Sequence, residues 1–248
     1  MKTSNINFGI YNPEQYKKII ASPSQSQAYF ERFHMPMVES LILKFGDRVR
    51  VIGVACGFAH ELEFLKDDKR VMIAGIDKSR KMLAEARKNV PNGFFKYADV
   101  TKSAPMPASF EGAILVNAMI YANSMEKMGT YAYSSLVEGG MATINFRDSR
   151  KPENIPFFED CVKCGCQDII VPLEVDGRHF KLRVMDYTKR KDINRNLGQQ
   201  AYFQSRQDIE DFLTIIGFEI SSHGIYTYKS SENERNVTDV YSLAKRQK

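Results

Sequence analysis

Three short segments of this chain carry residues able to hold a nucleoside, each at the end of an apolar run. The first, Gly53-Val54-Ala55-Cys56-Gly57-Phe58-Ala59, is a series of small residues that lets backbone approach a ligand closely. The second ends at Asp77, about twenty residues past Gly57, where a carboxylate accepts hydrogen bonds from the vicinal hydroxyls of a ribose. The third is Ala98-Asp99-Val100, whose acid accepts from an amine. Each has an ordinary explanation when taken alone. An aspartate after a strand is often a helix N-cap, and a glycine is often only a turn. Together, a small-residue loop, a ribose acid and a second acid describe a site shaped for adenosine.

Such residues converge only if strands bring them to one edge, and the hydrophobic pattern supplies those strands. Residues 49–55, 71–76, 94–98, 112–117 and 141–146 are short apolar runs, separated by helical stretches at 60–65, 79–88 and 125–137. Met82, Leu83 and Ala86 share one face of the second stretch. Glu138-Gly139-Gly140 reads as the turn into the fifth strand. Strands alternating with helices predict an α/β fold, with a mostly parallel sheet and helices on both faces. Ligands of such sheets bind beyond the carboxyl ends of the strands.

The flanks depart from this alternation. Residues 1–46 read as an N-terminal helical cap. Asn12-Pro13 opens a short helix, and Tyr29, Phe33, Met37, Leu41 and Phe45 recur every fourth position in a longer one, which Pro36 should bend or interrupt. After the core (47–150), residues 166–190 form an inserted hairpin turned by Asp176-Gly177. Phe180, Leu182 and Val184 lie on one side of it and His179, Lys181 and Arg183 on the other. A polar loop leads to the last segment (205–248), a helix at 206–216 stopped by Gly217 and then two strands. One domain accounts for the whole of 1–248.

Composition narrows the function class. The 248 residues are 43% hydrophobic and 26% charged, with a net charge of +5, as in ordinary globular proteins. No apolar run is long enough to span a bilayer, and residues 1–18 lack the apolar centre of a secretory signal, so a cytoplasmic protein is expected. Basic residues are scattered, densest at 181–195, without the stripe of a nucleic-acid binder. Four cysteines are too few for a disulfide scaffold in a chain of this length. Cys161, Cys164 and Cys166 lack the partners that complete a zinc site, so no metal is expected and the thiols are read as reduced groups around a helix end.

The core resembles the class I SAM-dependent methyltransferases. Val51-Ile52-Gly53-Val54-Ala55-Cys56-Gly57-Phe58-Ala59-His60 resembles that family's first motif, and Gly75-Ile76-Asp77-Lys78-Ser79-Arg80-Lys81-Met82-Leu83 the segment after its second strand. Tyr97-Ala98-Asp99-Val100 resembles its adenine-contacting element, and residues 110–121 its fourth strand and loop. The resemblance covers about 49–146 and returns at 206–218. It implies a Rossmann-like seven-stranded sheet and S-adenosyl-L-methionine (SAM) as cofactor, with S-adenosyl-L-homocysteine (SAH) as product. Residue by residue, it implies Asp77 at the ribose and Asp99 at the adenine amine. Ala55, Gly57 and Ala59 would line the methionine moiety, and Asn117 and Met119 would lie by the sulfonium and methyl. Gly53, Cys56, Lys78, Met82 and Val100 complete the implied cofactor set. The acid usual at the end of the first strand is here Gly53.

The implied reaction is an in-line displacement to an N, O or C nucleophile of a small molecule, in which positioning dominates. Aromatic faces favour a sulfonium, which draws attention to Tyr11, Tyr16, Tyr29 and Tyr121. His179 is the candidate base, on a polar hairpin face where Lys181 and Arg183 would suit an anionic acceptor. The loop Arg147-Asp148 should help select the acceptor, and His34 and His223 have no distinguishing context. No nucleic-acid or membrane partner is expected, since Asn117-Ala118-Met119-Ile120 stands where a nucleic-acid methyltransferase carries an NPPY-like tetrapeptide. A homodimer is one option for the assembly. Two rival readings are a NAD(P)-dependent oxidoreductase, whose GxGxxG spacing is not met by Gly53-x-x-x-Gly57, and a catalytically inactive SAM-binding regulatory protein.

Overall fold

The structure, a computed structural model, describes residues 23–119, 125–189, 199–229 and 235–246. Strands β1 (Val49–Val54), β2 (Val71–Asp77), β3 (Phe94–Tyr97), β4 (Phe110–Leu115), β5 (Leu136–Phe146), β9 (Phe218–Lys229) and β10 (Arg235–Lys245) form a seven-stranded sheet in the order β3-β2-β1-β4-β5-β10-β9. Neighbours from β3 through β5 pair in parallel. Strand β10 runs antiparallel to both β5 and β9. The expected mostly parallel sheet is therefore present. Its order reverses between β1 and β4, and that is where such sheets hold ligands.

Strand periodicity sorts the core into two layers. On one face, Val49, Val51 and Ile73 pack with Met37, Val38 and Leu41 of α2 (Met35–Phe45), Leu62 of α3 (His60–Glu63) and Leu83 and Ala86 of α4 (Arg80–Asn89). On the other, Ile52, Val54, Ala74 and Ile76 pack with Met125 and Met128 of α5 (Met125–Ser135) and Ile209, Phe212 and Leu213 of α7 (Arg206–Ile216). Helices thus cover both faces, as predicted. Ser79 and Ser205 cap α4 and α7 by accepting from the backbone N–H of Met82 and Asp208. Gly217 ends α7 in the left-handed region at φ +112°.

One local expectation took a particular form and two changed. In the cap, the interruption expected around Pro36 is present as a π-helical turn. Helix α1 (Pro23–Tyr29) passes into a π-helical turn (Phe30–His34), and Pro36 sits in the first turn of α2, where its missing N–H costs no internal hydrogen bond. The supposed turn Glu138-Gly139-Gly140 lies inside β5, which begins at Leu136. Gly139 takes φ +71° there, and the β4–β5 register shifts between Phe110 and Gly112. The polar loop before α7 contains another strand, β8 (Gln199–Phe203).

That strand turns the inserted hairpin into a three-stranded antiparallel sheet, β6 (Gln167–Val175), β7 (Arg178–Asp186) and β8. Asp176 and Gly177, at φ +48° and +74°, make the two-residue hairpin loop that their sequence announces. Phe180, Leu182 and Val184 face inward with Ala201 and Phe203, and the rings of Phe180, Phe203, Phe212 and Phe146 meet nearly edge to face. Cys161 and Cys166 are buried beside the end of α6 (Ile155–Lys163) and Cys164 is exposed, all as free thiols. Among the described residues no helix is long and apolar enough to cross a membrane. The helix expected from Asn12-Pro13, together with Tyr11, Tyr16 and Tyr121, lies outside the described residues.

Candidate active site

A crevice of about 1070 Å³, counting its open mouth, lies at the carboxyl ends of the parallel strands. The β1 loop lines it from Gly53 to Phe58, and β2 contributes Asp77, Lys78 and Ser79. The ends of β3 and β4 add Ala98, Val100 and Val116 to Ala118, while Met82 and Met128 reach in from α4 and α5.

The β1 loop has a curled shape that small residues permit. Ala55, Gly57 and Ala59 all take left-handed backbone, at φ +54°, +54° and +62°. Such backbone costs a side-chain-bearing residue about 1–2 kcal/mol, least where the side chain is small. Two hydrogen bonds stitch the loop to β2. The Cys56 N–H donates to the Ile76 carbonyl at 2.9 Å, and the Gly57 N–H to Asp77 Oδ2 at 2.9 Å. A Cβ on Gly57 would meet nothing within 4 Å, so its face is open to the crevice. Gly53 and Gly75 are closed: a Cβ on Gly53 would lie 2.8 Å from both Cys56 Cβ and Leu62 Cδ1, and one on Gly75 2.7 Å from Cys56 Sγ.

Asp77 is not the N-cap of α4, because Ser79 fills that position. Its Oδ1 accepts the Ser79 N–H at 2.7 Å, so each carboxylate oxygen holds one backbone N–H and keeps lone pairs for a ligand. Burial pushes the Asp77 carboxyl above its usual range, opposed by those two N–H groups. Burial likewise pulls the Lys78 ammonium down, against the attraction of Asp99 and Asp77. At Asp99 burial acts upward, but the Thr101 hydroxyl and N–H outweigh it and hold the carboxyl below its usual range.

The structure brings Gly53, Ala55, Cys56, Gly57, Asp77, Lys78, Met82, Val100 and Asn117 to the crevice wall. Ala59 and Met119 are fully buried behind it, and Asp99 stands at its edge between two lining residues. His179 is not brought there. It sits exposed beside the hairpin turn, 3.8 Å from Glu174. Arg183, read as an anion receptor, is engaged in hydrogen bonds with Asp168 at 2.7 to 3.1 Å.

Two residues escaped the sequence reading, and His223, which had no distinguishing context there, acquires a partner. Asn145, near the end of β5, bonds Asn117 in both directions. Glu61 of α3 lines the crevice. His223 hydrogen-bonds the fully buried Asp239, which Lys151 also contacts. The rise in polarity inside a strand at Asn145 was the one available signal.

The comparisons fit this geometry. Over 104 residues the chain is 31% identical to a trans-aconitate 2-methyltransferase of Delftia acidovorans, a match covering 41% of this chain and 39% of that enzyme. Over 132 residues it is 24% identical to the enzyme of that name from Variovorax paradoxus, covering 52% of this chain and 51% of the relative. The matches therefore span about two-fifths to a half of the curated relatives' length. No protein-family model matches the chain. Among solved structures, the magnesium protoporphyrin IX methyltransferase of Synechocystis PCC 6803 with bound SAH superposes with a TM-score of 0.60 at 15% identity, over 96% of this chain and 90% of that one. A SAM-bound amino pentose methyltransferase of Micromonospora echinaspora gives 0.54 at 14% identity, over 96% and 98%. The fold is that of the class I SAM-dependent methyltransferases, in agreement with the sequence resemblance.

Proposed function

We propose that this protein is a SAM-dependent methyltransferase acting on a small molecule. The observation that carries the reading is the crevice itself, in which the curled β1 loop, the Asp77 carboxylate and the Ala98–Val100 segment meet at adjacent strand ends. The residues present fit the donor. Gly57 leaves its face open, and Asp77 retains acceptor capacity for ribose hydroxyls. In this reading Ala98 and Val100 flank the adenine, Asp99 takes its amine at the edge, and Ala55 to Gly57 face the methionine portion.

Bound SAM, its nucleoside held by Asp77 and Asp99, would supply an activated methyl group for in-line displacement by the acceptor. The chain's own task is orientation. Asn117, locked by Asn145, fixes the β4 end beside the reacting groups, and alignment of this kind supplies much of the acceleration in a displacement. The relatives' acceptor, trans-aconitate, suggests a small carboxylate-bearing substrate as the first class to assay.

Titration calorimetry with SAH tests the donor site. Wild-type protein should bind it, and Asp77→Ala should lose affinity by about 100-fold or more, since truncation removes a charged acceptor and unties Gly57. Undiminished affinity in Asp77→Ala would overturn the assignment. Transfer of labelled methyl from SAM to members of a metabolite mixture tests the activity.

A further inference from the structure

The β1 tip lacks a carboxylate, and the packing explains why. Gly53 has no room for a side chain, because the Cys56 and Leu62 side chains occupy the space where its Cβ would stand. The donor nevertheless carries an α-ammonium, and an ammonium leaving water for a half-enclosed crevice needs a partner to offset its lost hydration.

The crevice wall carries two carboxylates, Asp77 and Glu61, against one lysine, Lys78. This balance mirrors the donor, which has two cationic centres and one carboxylate. Asp77 is committed by its bonds to the Gly57 and Ser79 N–H groups. Among the described residues the Glu61 carboxylate accepts only from its own backbone N–H, and it sits in the first turn of α3, one residue before the Leu62 that closes the space at Gly53. We infer that Glu61 is the counter-ion of the donor's α-ammonium, delivered from α3 because packing at Gly53 excludes an acid from β1.

Two electrostatic observations support that placement. Burial pushes the Cys56 thiol up, and the carboxylates of Asp77 and Glu61 add to the rise, so both acids flank the tip of the β1 loop. Burial also pushes the Glu61 carboxyl up, opposed by neighbouring His60, as expected of an acid that waits in a partly dry site for a cation.

The inference rests on the donor-site reading, and its test separates the two. Binding of SAH and of 5′-methylthioadenosine, which keeps the nucleoside and sulfur but lacks the ammonium and carboxylate, is measured on wild-type, Glu61→Gln and Glu61→Asp proteins. Glu61→Gln should weaken SAH by about 10- to 100-fold, as for loss of a charge-assisted bond, and leave 5′-methylthioadenosine within about 2-fold. Glu61→Asp should recover part of the SAH affinity. Equal losses on both ligands, or no loss on either, would overturn the role of Glu61 and leave the donor site standing. Failure of wild-type protein to bind either ligand would overturn both.

Discussion

Asn145 and Asn117 hold each other through two hydrogen bonds that run in opposite directions. The Asn117 backbone N–H donates to Asn145 Oδ1 at 2.7 Å, and Asn145 Nδ2 donates to Asn117 Oδ1 at 3.1 Å. Asn117 needs the support, since its backbone is left-handed at φ +53°. Asparagine tolerates that region better than most residues, but a neighbouring strand still has to hold it there. Asn145→Ala leaves a backbone N–H without its partner and should destabilise the fold by about 1–3 kcal/mol. In urea melts the midpoint should fall, and in assays of a substrate once found kcat should fall more than SAM affinity.

Gly53 gives a second expectation. Gly53→Ala forces Cys56 or Leu62 to move and should cost about 1–3 kcal/mol, as overpacking does. Gly53→Asp, which restores the acid of the resembled motif, should be less stable again and bind SAH no more tightly. A Gly53→Asp protein with wild-type melting and stronger SAH binding would refute the packing argument.

Stability should depend on pH through His34. Its ring is fully buried among Tyr29 and Phe30, shares a hydrogen bond with Thr143 Oγ1 at 2.7 Å, and is pulled by burial from 6.5 to about 3. The unfolded chain therefore binds a proton that the folded one refuses. The contribution of His34 is fully present above pH 6.5 and is lost as pH falls from there towards 3. The loss approaches about 1.4 kcal/mol per pH unit within that window. Urea melts at pH 7.5, 5.5 and 4.5 should show this slope, and His34→Leu, though less stable throughout, should show a flatter one.

The buried carboxylate of Asp239 is held by Lys151 and by His223 Nε2, the latter at 2.8 Å. Lys151→Met leaves the charge with the His223 hydrogen bond alone at a site with no solvent access and should cost about 1–3 kcal/mol. Asp239→Asn added to it should recover part of that loss, because the neutral amide is cheaper to bury. Equal stability of the single and double variants would contradict the pairing.

The parts of the site that the sequence disclosed were those built by neighbours in the chain. Strands buried on both faces read as nearly continuous apolar runs, so β1, β2 and β4 stood out despite Arg50 and Glu111, and with them Gly57 and Asp77 at the tips of β1 and β2. Strand β8 stayed hidden because Gln199 and Gln200 open it and only three residues of Gln-Gln-Ala-Tyr-Phe are apolar. Glu61 drew no reading from the sequence, since nothing local says which face of a short helix meets a crevice. His179 shows the opposite failure. Alternation identified its exposed face correctly, but where the hairpin sits relative to the β-strand tips is settled by long-range packing of Phe180, Phe203 and Phe212.

All the crevice residues fall between Gly53 and Met128, whereas the three-stranded sheet is built from Gln167 to Phe203. The crevice and the inserted sheet are thus written in separate stretches of the gene. An exchange confined to the later stretch therefore leaves every residue lining this crevice unaltered.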